Sequence, residues 1–149
     1  MKISAILNKK GHKVHTICRD KKLKEVLTEM LELNIGSLLV MNEDDTIAGI
    51  ITERDFLNNV AKHATDWETE RVSDVMITDV IVCSIDKNLV DAKTLIAKHH
   101  IRHLPIVEGD KVVGLLSIRD IIHSSLEESA FQNKLLKRYI HDWPEDEHE

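Results

Sequence analysis

The sequence predicts a mixed α/β (α+β) fold: two copies of a β-α-β-β-α unit packed sheet to sheet with pseudo-twofold symmetry, followed by a C-terminal helical extension. Three observations predict it. A Gly-apolar-apolar-hydroxyl-x-Arg-Asp heptad occurs twice, as GIITERD at residues 49–55 and GLLSIRD at 114–120. The chain before each heptad aligns with the chain before the other once a single residue is removed, from the NEDD turn against EGD. A hairpin loop tolerates that change of length. Both copies also alternate helix-period and continuous apolar segments at matching places.

Each copy yields the same elements in order. Upstream, KISAILN pairs loosely with RVSDVMI. A short strand follows, VHTIC or VIVCS. Next comes a helix whose apolar residues Leu23, Val26, Leu27 and Met30, or Leu89, Ala92, Leu95 and Ile96, draw one stripe at 3.6 residues per turn. In register, Leu23 falls on Leu89, Val26 on Ala92, Met30 on Ile96, Ile35 on Ile101 and Gly49 on Gly114. Two continuous apolar runs, SLLVM then IAGII and LPIV then VVGLL, are split by acidic, Gly-containing or polar turns and read as hairpins of buried strands. A second helix starts after Thr52 or Ser117, each placed as an N-cap with an Asp three residues on. The copies span residues 1–65 and 66–126, with the extension at 127–149. A half of roughly 60 residues buries little alone, so the halves are expected to share an interface.

Composition narrows the function. The 149 residues carry a net charge of −6 and only 3% aromatics, so the core is aliphatic and nucleic-acid binding lacks electrostatic support. No apolar run approaches the roughly 20 residues that span a bilayer, and the N-terminus has no signal-peptide core. Cys18 and Cys83 form no CxxC and read as small core residues, so the expected compartment is the cytoplasm. His99, His100 and His103 lack nearby Cys or acidic ligands and read as helix-end or solvated groups rather than a metal site.

The doubled heptad, the IRHLPIV lead-in and the VSDVMITDVIVCSID link resemble a tandem pair of cystathionine-β-synthase (CBS) domains, the Bateman module, over about residues 1–126. The chain also resembles the free-standing bacterial type, in which the module is nearly the whole protein. That resemblance implies two clefts that take an adenosyl ligand: AMP first, then NAD(H) or ATP, with ADP and S-adenosylmethionine also in the class. Carried over, one cleft joins Thr52, Arg54 and Asp55 to Ile81, Ile101 and Arg102. The other joins Ser117, Arg119 and Asp120 to His15, Ile35 and Gly36.

The residue chemistry suits such a ligand. A carboxylate at a helix start can accept ribose hydroxyls in charge-assisted bonds. Thr52 and Ser117 sit where backbone N–H groups favour anions. Arg54 and Arg119 offer planar forks to phosphate. Ile50, Leu115, Ile35 and Ile101 could sandwich an adenine, and Gly49 and Gly114 allow a close neighbour. The copies are not equal, since Pro105 lacks a counterpart and Gly36 stands where Arg102 projects a charge.

Blander roles exist for the same residues: the aspartates as helix caps, the arginines as surface ion-pair partners. Ile121, Ile122, Leu126, Leu135, Leu136, Tyr139 and Ile140 continue a helical period past the module, and the PEDEHE end reads as disordered. An apolar helix with no partner in its own module is expected to pack on a second subunit, making a homodimer, with its own first helix as the alternative. The expected function is non-enzymatic: an adenine-nucleotide-sensing regulatory module acting through ligand-dependent conformational change on an unidentified protein. The alternatives are a dimerising scaffold without ligand affinity and an S-adenosylmethionine sensor. A nucleotide hydrolase lacks its P-loop, metal carboxylates and nucleophile–base pair.

Overall fold

The structure, a computed structural model, describes residues 1–63 and 66–141, apart from the side chain of Tyr139. The PEDEHE end lies outside the described residues. In chain order the first half comprises α1 (Ile3–Lys10), β1 (Thr16–Cys18), α2 (Leu23–Leu33), β2 (Ser37–Met41), β3 (Ile47–Thr52) and α3 (Glu53–Lys62). A 3-10 turn at Trp67–Thr69 leads to α4 (Val72–Val75), β4 (Cys83–Ser84), α5 (Leu89–His99), β5 (His103–Glu108), β6 (Lys111–Ser117) and α6 (Ile118–His141). Both repeats of the expected unit are therefore present, each preceded by one further helix. The signal for those helices was present in the sequence: Ile3, Ile6 and Leu7, and Val72, Val75 and Met76, share the i, i+3, i+4 spacing of one helix face.

Two three-stranded sheets form, in the orders β1-β2-β3 and β4-β5-β6. In each, the first pair is parallel and the second is an antiparallel hairpin. The first strands are shorter than VHTIC and VIVCS suggested, because only their last residues reach β2 and β5. Asp45 (φ 62°) and Gly109 (φ 61°) close the two hairpins in the left-handed region. Equivalent helix ends behave alike. Asn34 (φ 53°) and His100 (φ 52°) are the left-handed caps of α2 and α5, positions that Asn tolerates well. His100 is thus a helix terminator, in keeping with its helix-end reading.

Alternation along the strands divides each sheet between a helix side and an inner side. Leu38, Val40 and Ile51 pack with α2, α3 and α4; Leu104, Ile106 and Leu116 pack with α1, α5 and α6. Leu39 pairs with Ile50, and Pro105 with Leu115, on the opposite faces. Leu39 is fully buried although it belongs to neither helix-side cluster. The two sheets cover one another through these faces, as the repeat required. Cys83 is a core residue as expected, but Cys18 is exposed. It lies on the short edge strand β1, whose one buried position is taken by Ile17.

The lead-in helices are exchanged between halves. Ile3, Ile6 and Leu7 of α1 are at most 3% exposed within the second half's core, while Val72 of α4 is fully buried in the first half's core. The docking is reciprocal down to its hydrogen bonds. Ile3 N–H donates to Lys87 O (3.1 Å) and Leu89 N–H to Met1 O (2.9 Å); correspondingly, Val72 N–H donates to Lys21 O and Leu23 N–H to Glu70 O, both at 2.8 Å. Each lead-in therefore brackets the start of the other copy's first long helix. Burying a side chain of this size stabilises by about 1.5–3 kcal/mol, so the exchange ties the halves together.

Candidate functional site

Each heptad begins in a strand, turns and opens a helix, and its glycine explains why the turn can lie so close to the exchanged lead-in. Gly49 and Gly114 sit in β3 and β6, opposite Val40 and Ile106, next to a register irregularity in each hairpin. A Cβ at Gly49 would stand 2.6 Å from Met76 Sδ and 2.7 Å from Ile77 O; one at Gly114 would stand 2.6 Å from Leu7 Cδ2. All three distances are below van der Waals contact, so a Cβ at Gly49 would meet backbone and one at Gly114 would have to displace the Leu7 side chain. Ile50 and Ile77 then exchange backbone hydrogen bonds of 2.9 Å each way, which fixes the second lead-in against the first heptad.

The hydroxyl and the carboxylate come together as the capping pattern anticipated. Asp55 Oδ2 accepts from Thr52 N–H (2.8 Å) and Thr52 Oγ1 (3.0 Å). Asp120 Oδ2 accepts from Ser117 N–H (2.8 Å) and Ser117 Oγ (2.9 Å), and Asp120 N–H donates back to Ser117 Oγ (3.2 Å). The same arrangement opens α2 through Glu25 and α5 through Asp91, where no heptad is present. Capping is therefore an established role of both aspartates. Among the described residues Oδ1 of each accepts no hydrogen bond, so one carboxylate oxygen per heptad faces outward unengaged.

The second heptad carries an additional group. Lys10, the last residue of α1, places its ammonium on Asp120 Oδ2 and on the Leu115 carbonyl. Burial works to raise the Asp120 pKa, but the bonds from Lys10 and Ser117 together with the Lys10 charge outweigh it, and the carboxyl ionises below its ordinary range. His103, at the start of β5 opposite Ser117, is half-buried. Burial, then the positive charge of Lys10, holds its imidazole below its usual pKa; Glu53 and Asp120 oppose this and Arg102 adds to it. One histidine thus lies within the electrostatic reach of both heptads.

The other expected site residues are placed as follows. Arg54 and Arg119 are exposed, and among the described residues neither joins an ion pair. Gly36 and Arg102 occupy equivalent positions: Glu53 N–H donates to Gly36 O (3.1 Å) and Ile118 N–H to Arg102 O (2.8 Å). By backbone, then, each adjoins the heptad of its own half. The Glu53 side chain covers Gly36, with Oε1 3.3 Å from where a Cβ would lie. Ile35 packs in part on the first core, and Ile81 and Ile101 on the second. His15, half-buried, accepts a hydrogen bond from Leu39 N–H through its carbonyl. Lys10, Glu53 and His103 were not singled out from the sequence as site residues. The repeat register held a signal for them, because Lys10 falls on Asp79, Glu53 on Ile118 and His103 on Ser37, three places where the copies differ in charged or titratable side chains.

The fold is that of a tandem-repeat module in which two related helix starts carry the same hydroxyl–carboxylate cap. The chain belongs to the CBS-domain family: that family's model, described as CBS domain, matches it twice, at residues 4–62 and 72–127. A CBS pair is a regulatory module. Among curated relatives, the mitochondrial CBS domain-containing protein CBSX3 of Arabidopsis thaliana is 27% identical over 125 residues, which cover 81% of this chain and 61% of that one. The present chain therefore spans less than two thirds of that relative. Among solved structures, the CBS-domain containing protein ATU1752 of Agrobacterium tumefaciens superposes with a TM-score of 0.80 at 26% identity, covering 84% of this chain and 99% of that one. CBSX2, solved in complex with AMP, shares the fold with a TM-score of 0.67 at 23% identity, covering 78% of this chain and 90% of that one.

Proposed function

We propose that this CBS pair is a non-enzymatic adenine-nucleotide sensor. It binds AMP, ADP, ATP or NAD(H) at the two heptads and signals through the relative positions of its halves. The observation that carries the reading is the half-used carboxylate of each heptad. One oxygen is fixed by the helix cap and the other is unengaged among the described residues, a pre-oriented acceptor for ribose hydroxyls. The cap does not compete with that role; it orients the acceptor. The guanidinium beside each aspartate, in no ion pair among the described residues, suits a phosphate, and CBSX2 was solved in complex with AMP on the same fold.

Ligand would act by population shift, since a nucleotide touching groups from both halves favours the arrangement in which they are correctly spaced. The test is thermal unfolding with AMP, ADP, ATP, NAD(H) and S-adenosylmethionine, with guanine nucleotides as controls. A ligand at a hundredfold excess over its dissociation constant stabilises by about 2.7 kcal/mol. The expected outcome is a rise in Tm for adenosyl compounds that exceeds the rise for guanine nucleotides. Absence of any rise with all five adenosyl compounds at millimolar concentration overturns the proposal and favours the scaffold reading.

A further inference from the structure

We infer that the second cleft selects its ligand by negative charge, and that Lys10 is the residue that makes the selection. The inference rests on the adenine-nucleotide reading and deepens it by assigning a ligand class to one site. Beside the second heptad, Lys10 and the heptad's own Arg119 stand against the single carboxylate of Asp120. The first heptad itself carries Arg54 between Glu53 and Asp55 in sequence, one positive group against two negative ones. The second heptad with Lys10 thus carries one net positive charge and the first heptad one net negative, by 2 − 1 and 1 − 2. His103 does not alter that difference while its imidazole is neutral.

The imbalance originates in α1. In the repeat register the place of Lys10 is taken by Asp79, and α4 ends at Val75, short of that position. Helix α1 continues to Lys10 and ends at Gly11 (φ 105°). The helix and its flanks hold it in place: Leu7 against Gly114, His12 Nδ1 3.0 Å from Val113 O, and the Met1 ammonium 3.0 Å from Glu128 of α6. The Lys10 ammonium is thus anchored at the second cleft by the packing of its own helix. With no ligand present its counter-charge is Asp120.

A ligand that engages Asp120 through ribose hydroxyls shares that counter-charge with Lys10. A neutral nucleoside supplies nothing in exchange, and a sulfonium such as S-adenosylmethionine adds a like charge. A phosphorylated nucleotide supplies the missing anion. The second cleft therefore takes nucleoside phosphates in preference to adenosine and to S-adenosylmethionine, whereas the first cleft, lacking the ammonium, discriminates little.

The test is calorimetry on the full chain in an Asp55→Ala background, so that binding reports on the second cleft, with AMP, adenosine and S-adenosylmethionine as probes. AMP is expected to bind at least about tenfold more tightly than adenosine, as one charge-assisted hydrogen bond provides, and S-adenosylmethionine more weakly still. Adding Lys10→Met or Lys10→Gln should reduce the AMP preference to less than about threefold and leave adenosine binding equal or stronger. Lys10→Arg should keep the preference. AMP affinity, unlike adenosine affinity, should also fall as salt is raised, a readout that leaves Lys10 unaltered.

If the Met and Gln variants weaken AMP and adenosine equally, or leave the preference intact, the inference is wrong while the nucleotide reading stands. A wild-type chain that binds adenosyl compounds, alongside an Asp55→Ala chain that binds none, also overturns it. If the wild-type chain binds none of the three probes, both the inference and the reading beneath it fall.

Discussion

At the residue scale, Asp55 and Asp120 each close a helix cap through Oδ2, and in the proposed function Oδ1 would take a ligand. Removing the carboxylate should affect both, by different amounts. Losing an N-terminal carboxylate and its cap bonds costs about 0.5–2 kcal/mol of stability. Losing charge-assisted bonds to ribose costs roughly 1.5–3 kcal/mol each, at least about a tenfold fall in affinity at that cleft. Asp55→Ala and Asp120→Ala are therefore each expected to fold, with a modest drop in Tm, and each to silence one binding event in calorimetry while sparing the other. Two variants that melt lower yet bind like wild type would reduce the aspartates to caps, as Glu25 and Asp91 are in α2 and α5.

The exchanged lead-ins dominate the element scale. A four-residue α4 could not persist as an isolated helix; it exists because Val72 and its neighbours fill the first half's core. The glycines at the crossings set how closely the lead-ins approach, and they should respond differently to substitution. Gly114→Ala meets the Leu7 side chain, and Gly49→Ala meets the Ile77 carbonyl as well as Met76. Overpacking a core typically costs about 1–3 kcal/mol. Denaturant unfolding is expected to place both variants in that range. Leu7→Ala should recover part of the Gly114→Ala penalty, after allowance for its own cavity, whereas Met76→Ala should not relieve Gly49→Ala because backbone remains in the way. Equal rescue at both crossings would contradict the crowding assigned to Gly49.

At the scale of the whole molecule the notable feature is α6, a single helix of 24 residues in which the second heptad's helix continues into the extension. Its first turns bury Ile121 and Ser124. At 3.6 residues per turn, Ile122, Leu126, Leu136 and Ile140 then share one side, and Phe131 and Leu135 continue the side that Ile121 buries. All six are about half exposed or more. Contacts of the extension with the N-terminal segment include the polar pairs Met1–Glu128 and Lys9–Glu127, which leave that apolar surface uncovered. We propose that a second copy of the chain covers it. The full chain should then scatter light as a dimer, and deleting residues 127–149 should shift it toward monomer while each module still melts cooperatively. A monomeric full chain at micromolar concentration would refute this.

What the sequence determined by itself was everything that repeats or acts over short range. The period of Leu23, Val26 and Met30 set α2, and its echo in Leu89, Ala92 and Ile96 set α5. The hydroxyl-x-x-Asp spacing set both caps, because a cap bond links residues three apart. The doubled heptad set the number of candidate clefts. Tertiary structure alone decided which lead-in helix meets which core, that Leu7 and Met76 are the neighbours requiring Gly114 and Gly49, and that Lys10 reaches Asp120. Those contacts join residues far apart in the chain and involve one partner from each copy, so they leave no period in the sequence. They arise only when two half-cores, each too small to be stable alone, close by exchanging a helix.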